Sequence, residues 1–326
     1  MVDFKYKLSI IIPMYNAEKY IGKCLDSIFA SDLPKEKYEI LIVNDGSIDR
    51  SADIVNGYLK YPQIHLLEQE NLGQSSARNN GLKNCRGEYV WFVDADDYLE
   101  SSLSSIFNSL LEGKKLDILA IQLKKVNEQG KFLEIECSQP NVRHHLQMTG
   151  REAIISGYNP SSVCALITRR DFLVKNELYF YVGITHQDVE LSYRMFVKAH
   201  NVIFINFSPY IYVQHPDSTS HSINTEKRIK YLCDDCTIIK SFQELASSID
   251  NKDTILKQTI EERLKNIQLG LVLNLWNHRN EWGKRGINRA VISHMRTNGL
   301  YPLKGDFGSW KKNLLSFLLN VGMSIV

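Results

Sequence analysis

At 326 residues the chain is long enough for one large domain or two ordinary ones. Hydrophobic residues make up 44% and charged residues 23%, ordinary globular usage that excludes wholesale disorder and collagen-like chains. The 39 Lys+Arg against 37 Asp+Glu leave a formal net charge of +2, which gives no bulk electrostatic reason to expect a nucleic-acid partner.

From the amino terminus the sequence alternates between two periods. Residues 8–13 (LSIIIP) form a solid apolar run, the pattern of a strand covered on both faces. Apolar residues at Tyr20, Ile21, Cys24, Leu25, Ile28 and Phe29 predict a helix over 17–30. A second buried strand is expected at 39–43 (EILIV), then a helix at 49–59 capped by Asp49. A strand at 64–67, a helix at 74–84 and a strand at 89–93 (YVWFV) continue the alternation, which builds right-handed crossovers and a mainly parallel sheet flanked by helices.

Further along, a helix is expected at 103–111, a strand at 117–123 and a hairpin over 122–136 turned at Glu128-Gln-Gly130. A polar loop over 138–150 leads to a helix at 151–156, a strand at 163–168, a helix at 189–198 and short strands at 202–207 and 210–214. From 226 onward the period is helical, over 226–245, 252–276 and 287–297. The expected organisation is an α/β domain over 1–222 followed by an α-helical C-terminal region over 223–326.

Six cysteines lie far apart, at 24, 85, 137, 164, 233 and 236. No secretory signal precedes them, which fits a reducing cytoplasm, and no apolar run approaches the roughly 20 residues of a spanning helix. Cys233-Asp-Asp-Cys236 lacks the second pair that a zinc site needs. Charge is uneven: 252–312 carries twelve Lys/Arg against five Asp/Glu, a basic stretch that faces an anionic membrane, an anionic substrate or plain solvent.

Open α/β sheets bind ligands at the carboxyl ends of their strands, where loops and helix N-termini converge. Four successive strand ends carry polar clusters here: Pro13-Met-Tyr15-Asn16, Asn44-Asp45-Gly46-Ser47, Asn71-Leu-Gly73-Gln-Ser75-Ser-Ala-Arg78-Asn79 and Asp94-Ala-Asp96-Asp97. Three carboxylates within four residues repel one another unless a cation lies between them. A few hard oxygen ligands suit Mg²⁺ or Mn²⁺ shared with substrate phosphates; the competing reading is a polar turn that caps the next helix. Asp45 leaves a similar choice, between a ligand-facing acid and an Asp-Gly turn residue. No G-x-G-x-x-G follows the first strand and no G-x-x-x-x-G-K-[ST] occurs, so dinucleotide and P-loop cradles are both missing.

The ordered runs LSIIIPMYNAEKYIGKCLDSI, EILIVNDGSIDRS, NLGQSSARNNGL and GEYVWFVDADDYL resemble the catalytic domain of glycosyltransferase family 2, with its A-type nucleotide-sugar fold. The likeness is close over 7–115 and weaker to about 220. It implies a nucleotide-binding half at 1–115 and an acceptor half at 116–222. By this resemblance Pro13, Tyr15 and Asn16 line the nucleoside pocket, and Asp45 hydrogen-bonds a uracil ring, favouring a UDP-sugar. Gly73 and Arg78 lie beside the diphosphate and ribose. Asp94 and Asp96 match the D-x-D pair, with Asp96 holding the metal and Asp94 on the ribose or sugar side.

The family's general base belongs to a Glu-Asp pair at a helix start. In His186-Gln187-Asp188 this assigns Asp188 as the base, with Gln187 where Glu is usual and Glu190 as a fallback. The competing reading of Asp188 is a helix-start acid favoured by the dipole. His215 matches a segment in which relatives place a metal or diphosphate ligand.

The resemblance implies inverting, metal-dependent transfer of a hexose or N-acetylhexosamine from a UDP-sugar. The acceptor would be a glycan or lipid-linked glycan in cell-surface polysaccharide synthesis, reached in the cytoplasm or at the inner face of its membrane. The alternative is a non-catalytic nucleotide-sugar-binding partner subunit of the same fold. The last stretch, 310–326, follows Trp310-Lys-Lys312 with 13 residues from Leu314 to the end, too short to span; it suits either an interfacial membrane anchor or burial against the helical region.

Overall fold

The amino-terminal alternation folds as β1 (Tyr6–Met14), α1 (Ile21–Phe29), β2 (Tyr38–Asn44), α2 (Ser51–Asn56), β3 (Ile64–Glu68), α3 (Gln74–Asn84) and β4 (Gly87–Phe92). These strands lie in the order β3-β2-β1-β4 and are all parallel, with Ile10 between Ile40 and Trp91. β1 from Leu8 onward and the whole of β2 are buried, as their unbroken apolar runs require. α3 is polar but packs closely on β1, because a Cβ at Gly81 would collide with Ile11 Cγ2. α1 begins four residues later than its apolar period suggests. The Ala17 N–H is taken by Ser51 Oγ (2.7 Å) and the Glu18 N–H by Asp49 Oδ2 (3.0 Å), which tie the turn before α1, closed by the Tyr20 and Ile21 N–H groups on Ala17 O, to the segment after β2.

The computed structural model describes residues 4–111, 115–139, 141–215 and 224–323. The chain divides into two units: the described residues up to Gly183 with Gln187–His215, and Ile184–His186 with the described residues from Asn224 onward. The boundary expected near 222 lies outside the described residues.

The first unit is completed by β5 (Tyr98–Leu99), α4 (Ser104–Leu111), β6 (Ile118–Ala120), β7 (Leu123–Asn127), β8 (Phe132–Glu136), β9 (Gln147–Met148), α5 (Gly150–Ile155), β10 (Leu166–Arg169), α6 (Arg170–Lys175), α7 (Gln187–Lys198), β11 (Val202–Phe204) and β12 (Tyr210–Gln214). The main sheet continues from β4 through β10, β6, β11 and β9, with β10 antiparallel to β4 and β6. A second sheet runs β5-β12-β7-β8. The stretch expected as one strand over 117–123 is divided between these sheets. Ile121 and Gln122 donate their N–H groups to Ala165 O and Phe207 O, and the chain leaves one sheet for the other there.

The second unit is helical: α8 (Thr225–Ser248), α9 (Thr254–Asn277), α10 (Arg279–Lys284), α11 (Ile287–Thr297) and α12 (Trp310–Met323). Asn224 and Asp253 cap α8 and α9 by accepting from the N–H groups of Lys227 and Leu256. Phe242, Ile260, Val272, Leu275 and Met295 form part of its buried core. α8 also holds the short segment 184–186. Thr185 donates its N–H (2.8 Å) and hydroxyl (3.0 Å) to Asp234 Oδ2, and His186 Nδ1 lies 3.0 Å from Asp235 Oδ1. The aspartates of the Cys233–Cys236 run therefore serve a chain contact. Among the described residues no helix is long and apolar enough to cross a membrane.

Candidate active site

Three loops at the carboxyl ends of the parallel strands are tied to one another by side chains of the polar clusters. Asn16 Oδ1 accepts from the Ile48 N–H (2.9 Å), and the Asn16 N–H donates to Ser47 Oγ (3.0 Å). These bonds join the loop after β1 to the loop after β2. Asp45 is buried at the end of β2; its Oδ1 accepts from Gln69 Nε2 (2.7 Å) and the Leu72 N–H (2.9 Å), and its Oδ2 from the Gly73 N–H (2.8 Å). The loop before α3 is thereby fixed, with Gly73 at a φ of 89° that favours glycine. Together the loops wall a cleft of about 330 Å³ whose lining includes Pro13, Tyr15, Asn16, Asp45, Gly73, Gln74, Asp94 and Asp96.

Each acid of the loop after β4 has a different setting. Asp94 Oδ1 accepts from Arg78 Nη2 (2.6 Å) and Gln74 Nε2 (3.0 Å). Arg78 is buried, with its guanidinium over the Phe180 ring at 5.2 Å. Burial works against its charge, but Asp94 and, more weakly, Cys164 and Asp188 outweigh it and raise the pKa further. Asp97 faces away from the cleft and accepts from the Tyr210 hydroxyl (2.6 Å) and the Val213 N–H (2.8 Å). Desolvation first, then the charges of Asp96 and Asp94, push its carboxyl well above the ordinary aspartate range.

Asp96 lies on the wall shared by the cleft and a side pocket of about 220 Å³, which Tyr20, Lys23, Glu128 and His215 also line. Its side chain keeps 47% of its surface exposed. Loss of hydration and repulsion from Asp94 raise its pKa. His215 Nε2 lies 3.7 Å from Asp96 Oδ2 and is buried with no hydrogen-bond partner.

A mutually repelling acid pair beside an orphaned imidazole nitrogen fits a divalent cation. Carboxylate with imidazole suits Mn²⁺ somewhat better than the all-oxygen preference of Mg²⁺. Among the described residues no group of three or more His, Cys, Asp or Glu is arranged to hold a metal. A cation here would thus complete its shell from ligand and water, as phosphate-bound ions commonly do.

Asp188 lies in the first turn of α7, half-buried, with Oδ1 accepting from the Val189 N–H (2.9 Å). Gln187, where the family resemblance expects Glu, donates from Nε2 to Gln74 Oε1 (2.9 Å), and Gln74 in turn donates to Asp94. A line of amides thus runs from the start of α7 to the D-x-D loop. Glu190 is buried and paired with Arg194, at 2.7 Å to Nε and 2.8 Å to Nη2. That engagement argues against Glu190 as the alternative base.

Of the residues singled out in the sequence, Pro13, Tyr15, Asn16, Asp45, Gly73, Asp94 and Asp96 line the cleft. Arg78 sits behind Asp94, His215 lines the side pocket beside Asp96, and Asp188 is coupled electrostatically to Arg78. Sequence reasoning missed Gln74, Tyr20, Glu128 and the Tyr210–Asp97 bond. Gln74 alone carried a signal, since it follows Gly73 at a helix start facing a strand end.

The family model for glycosyl transferase family 2 matches residues 9–170. An uncharacterized glycosyltransferase of Escherichia coli K12, YibD, is 33% identical over 230 residues, covering 68% of this chain and 65% of that relative, so the chain spans just under two thirds of its length. Staphylococcus aureus TarS 1–349 in complex with UDP-GlcNAc has the same fold, with a TM-score of 0.72 at 21% identity over 97% of this chain and 89% of that one. The mannosyltransferase PcManGT of Pyrobaculum calidifontis, in complex with GDP-Man and Mn²⁺, aligns at a TM-score of 0.56 and 14% identity, covering 98% of this chain and 88% of that one. With four polar strand ends gathered round one cleft of an A-type sheet, residues 9–170 form a glycosyltransferase family 2 domain.

Proposed function

We propose that the chain is an inverting, metal-dependent glycosyltransferase. It would move a hexose or N-acetylhexosamine from a UDP-sugar to a glycan or lipid-linked glycan acceptor in cell-surface polysaccharide synthesis. The observation that carries this reading is the half-exposed Asp96, set between the cleft and the unpartnered Nε2 of His215. Neighbours of the same fold bound to UDP-GlcNAc, or to GDP-Man with Mn²⁺, support a nucleotide-sugar donor and a divalent ion.

In this reading the nucleoside packs on Pro13, Tyr15 and Asn16. Asp45 already accepts three donors and keeps one free lone-pair direction on Oδ2 for a uracil N–H. Asp96 and His215 would hold Mg²⁺ or Mn²⁺, which when bound stabilises the charge of the departing diphosphate as a Lewis acid. Asp188 takes the proton of the acceptor hydroxyl while that oxygen attacks the anomeric carbon. The bond to the diphosphate breaks on the opposite face and the configuration inverts. The Gln187–Gln74–Asp94 line holds the start of α7 to the cleft.

The binding-only alternative rests on Gln187 standing where Glu is usual and on the base being assigned by resemblance alone. The Gln187 amide donates to Gln74, a task an ionised carboxylate would not perform, so the departure has a structural reason of its own. Asp188→Asn should lower UDP release from UDP-sugar by about 10²–10⁴-fold, the usual contribution of a general base, with donor affinity retained. Wild-type protein that binds UDP-sugar and releases no UDP with any glycan acceptor would instead make it a binding subunit.

Peripheral contact with a membrane through 310–326 belongs to the same reading. α12 buries Ser316, Leu319 and Met323 and leaves Trp310, Leu314, Phe317, Leu318 and Val321 exposed, at 71%, 50%, 62%, 55% and 49%. Positions 310, 314, 317 and 321 make one helical stripe, and the helix carries Lys311 and Lys312 with no acid. An apolar stripe beside lysines and a tryptophan favours an anionic lipid surface over burial.

A further inference from the structure

The tip of the β7–β8 hairpin reaches the candidate metal site, and nothing in the mechanism above uses it. Glu128 begins the turn, which Asn127 builds: Asn127 Oδ1 accepts from the N–H groups of Gln129 (3.1 Å) and Lys131 (2.8 Å), and Asn127 O from that of Gly130 (2.8 Å). β12 runs parallel to β7 with Gln214 opposite Asn127, so the next residue on each strand, His215 and Glu128, are brought side by side. Asp97 pins β12 through the Val213 N–H, two residues before His215. Strand register and turn geometry together fix this pair.

His215 is held on three sides. Its Nδ1 lies 3.0 Å from Glu128 Oε1, its ring packs on Tyr20 at 4.6 Å between centroids, and its Nε2 points to Asp96. An ionised carboxylate only accepts hydrogen bonds. Nδ1 therefore carries the proton in this contact, and in the neutral ring the lone pair is on Nε2, the atom left without a partner on the Asp96 side.

We propose that Glu128 is a positioning residue: it selects the tautomer and orientation of His215 that present the Nε2 lone pair to a divalent cation shared with Asp96. Carboxylate–histidine pairs act this way behind metal ligands, where loss of the outer partner usually costs 10–100-fold in metal affinity. The inference rests on the metal-dependent reading. Glu128 would touch neither donor nor cation, and its effect passes wholly through His215.

The test is Mn²⁺ affinity, measured from the free-ion electron paramagnetic resonance signal in the presence of saturating UDP. It uses the full-length wild type, Glu128→Ala, Glu128→Gln, His215→Ala and the Glu128→Ala/His215→Ala double variant. Glu128 is 43% exposed at a hairpin tip, and circular dichroism checks that each variant is folded.

Glu128→Ala should weaken Mn²⁺ binding by about 10–100-fold. Glu128→Gln keeps an acceptor oxygen and should fall between it and wild type. In the His215→Ala background, Glu128→Ala should change nothing further. Wild-type affinity in Glu128→Ala beside weakened His215→Ala overturns the proposal and leaves the metal reading standing. Additive losses in the double variant, or Glu128→Gln as weak as Glu128→Ala, also overturn it. Wild-type protein that retains no Mn²⁺ with UDP overturns the metal reading, and the proposal with it.

Discussion

The carboxylate of Asp97 is turned from the cleft onto the Tyr210 hydroxyl and the Val213 N–H, while the Tyr210 oxygen accepts from the Asp94 N–H at 3.0 Å. Asp94 is neutralised by Arg78, and Asp96, between them in sequence, stays half exposed. The local sequence could not distinguish these acids, because each partner comes from a distant segment. Asp97→Ala leaves a buried hydroxyl and a buried N–H without their acceptor and should cost about 2–3 kcal/mol in urea denaturation. Asp96→Asn alters an accessible side chain and should stay within about 0.5 kcal/mol of wild type. Equal losses at the two positions would contradict the division of roles.

Elements whose faces are decided by neighbours in sequence were legible. β1, β2 and β4 read directly from unbroken apolar runs, and the β7–β8 hairpin from its Gly130 turn, where φ is 76°. The change of sheet between β6 and β7 did not read, because 118–121 is an unbroken apolar run and the division depends on hydrogen bonds to Ala165 and Phe207. Contiguous site motifs were likewise legible, whereas Glu128 and the Gln74–Gln187 bond are delivered by strand register and helix placement across long separations. At the end of the chain an apolar stretch too short to span was legible, whereas the helix α12 and its exposed stripe were not. Its stripe makes a prediction: the protein should co-sediment with anionic vesicles and much less with neutral ones, and Trp310→Ser/Phe317→Ser should abolish that binding while leaving the thermal midpoint unchanged. Vesicle binding untouched by the double substitution would exclude α12 as the contact.

Across the whole molecule, chemistry and charge are separated along the chain. Every residue lining the cleft and its side pocket belongs to the first unit, whereas the stretch with twelve Lys/Arg against five Asp/Glu lies in the second. The account of the first unit stands on a cation held between Asp96 and His215 against a diphosphate. The most direct measurement is a crystal structure with UDP and Mn²⁺, using the manganese anomalous signal. The account predicts UDP on Pro13, Tyr15, Asn16 and Asp45, with an anomalous peak coordinated by Asp96 and by Nε2 of His215. UDP seated in that cleft with no peak beside Asp96 would contradict it.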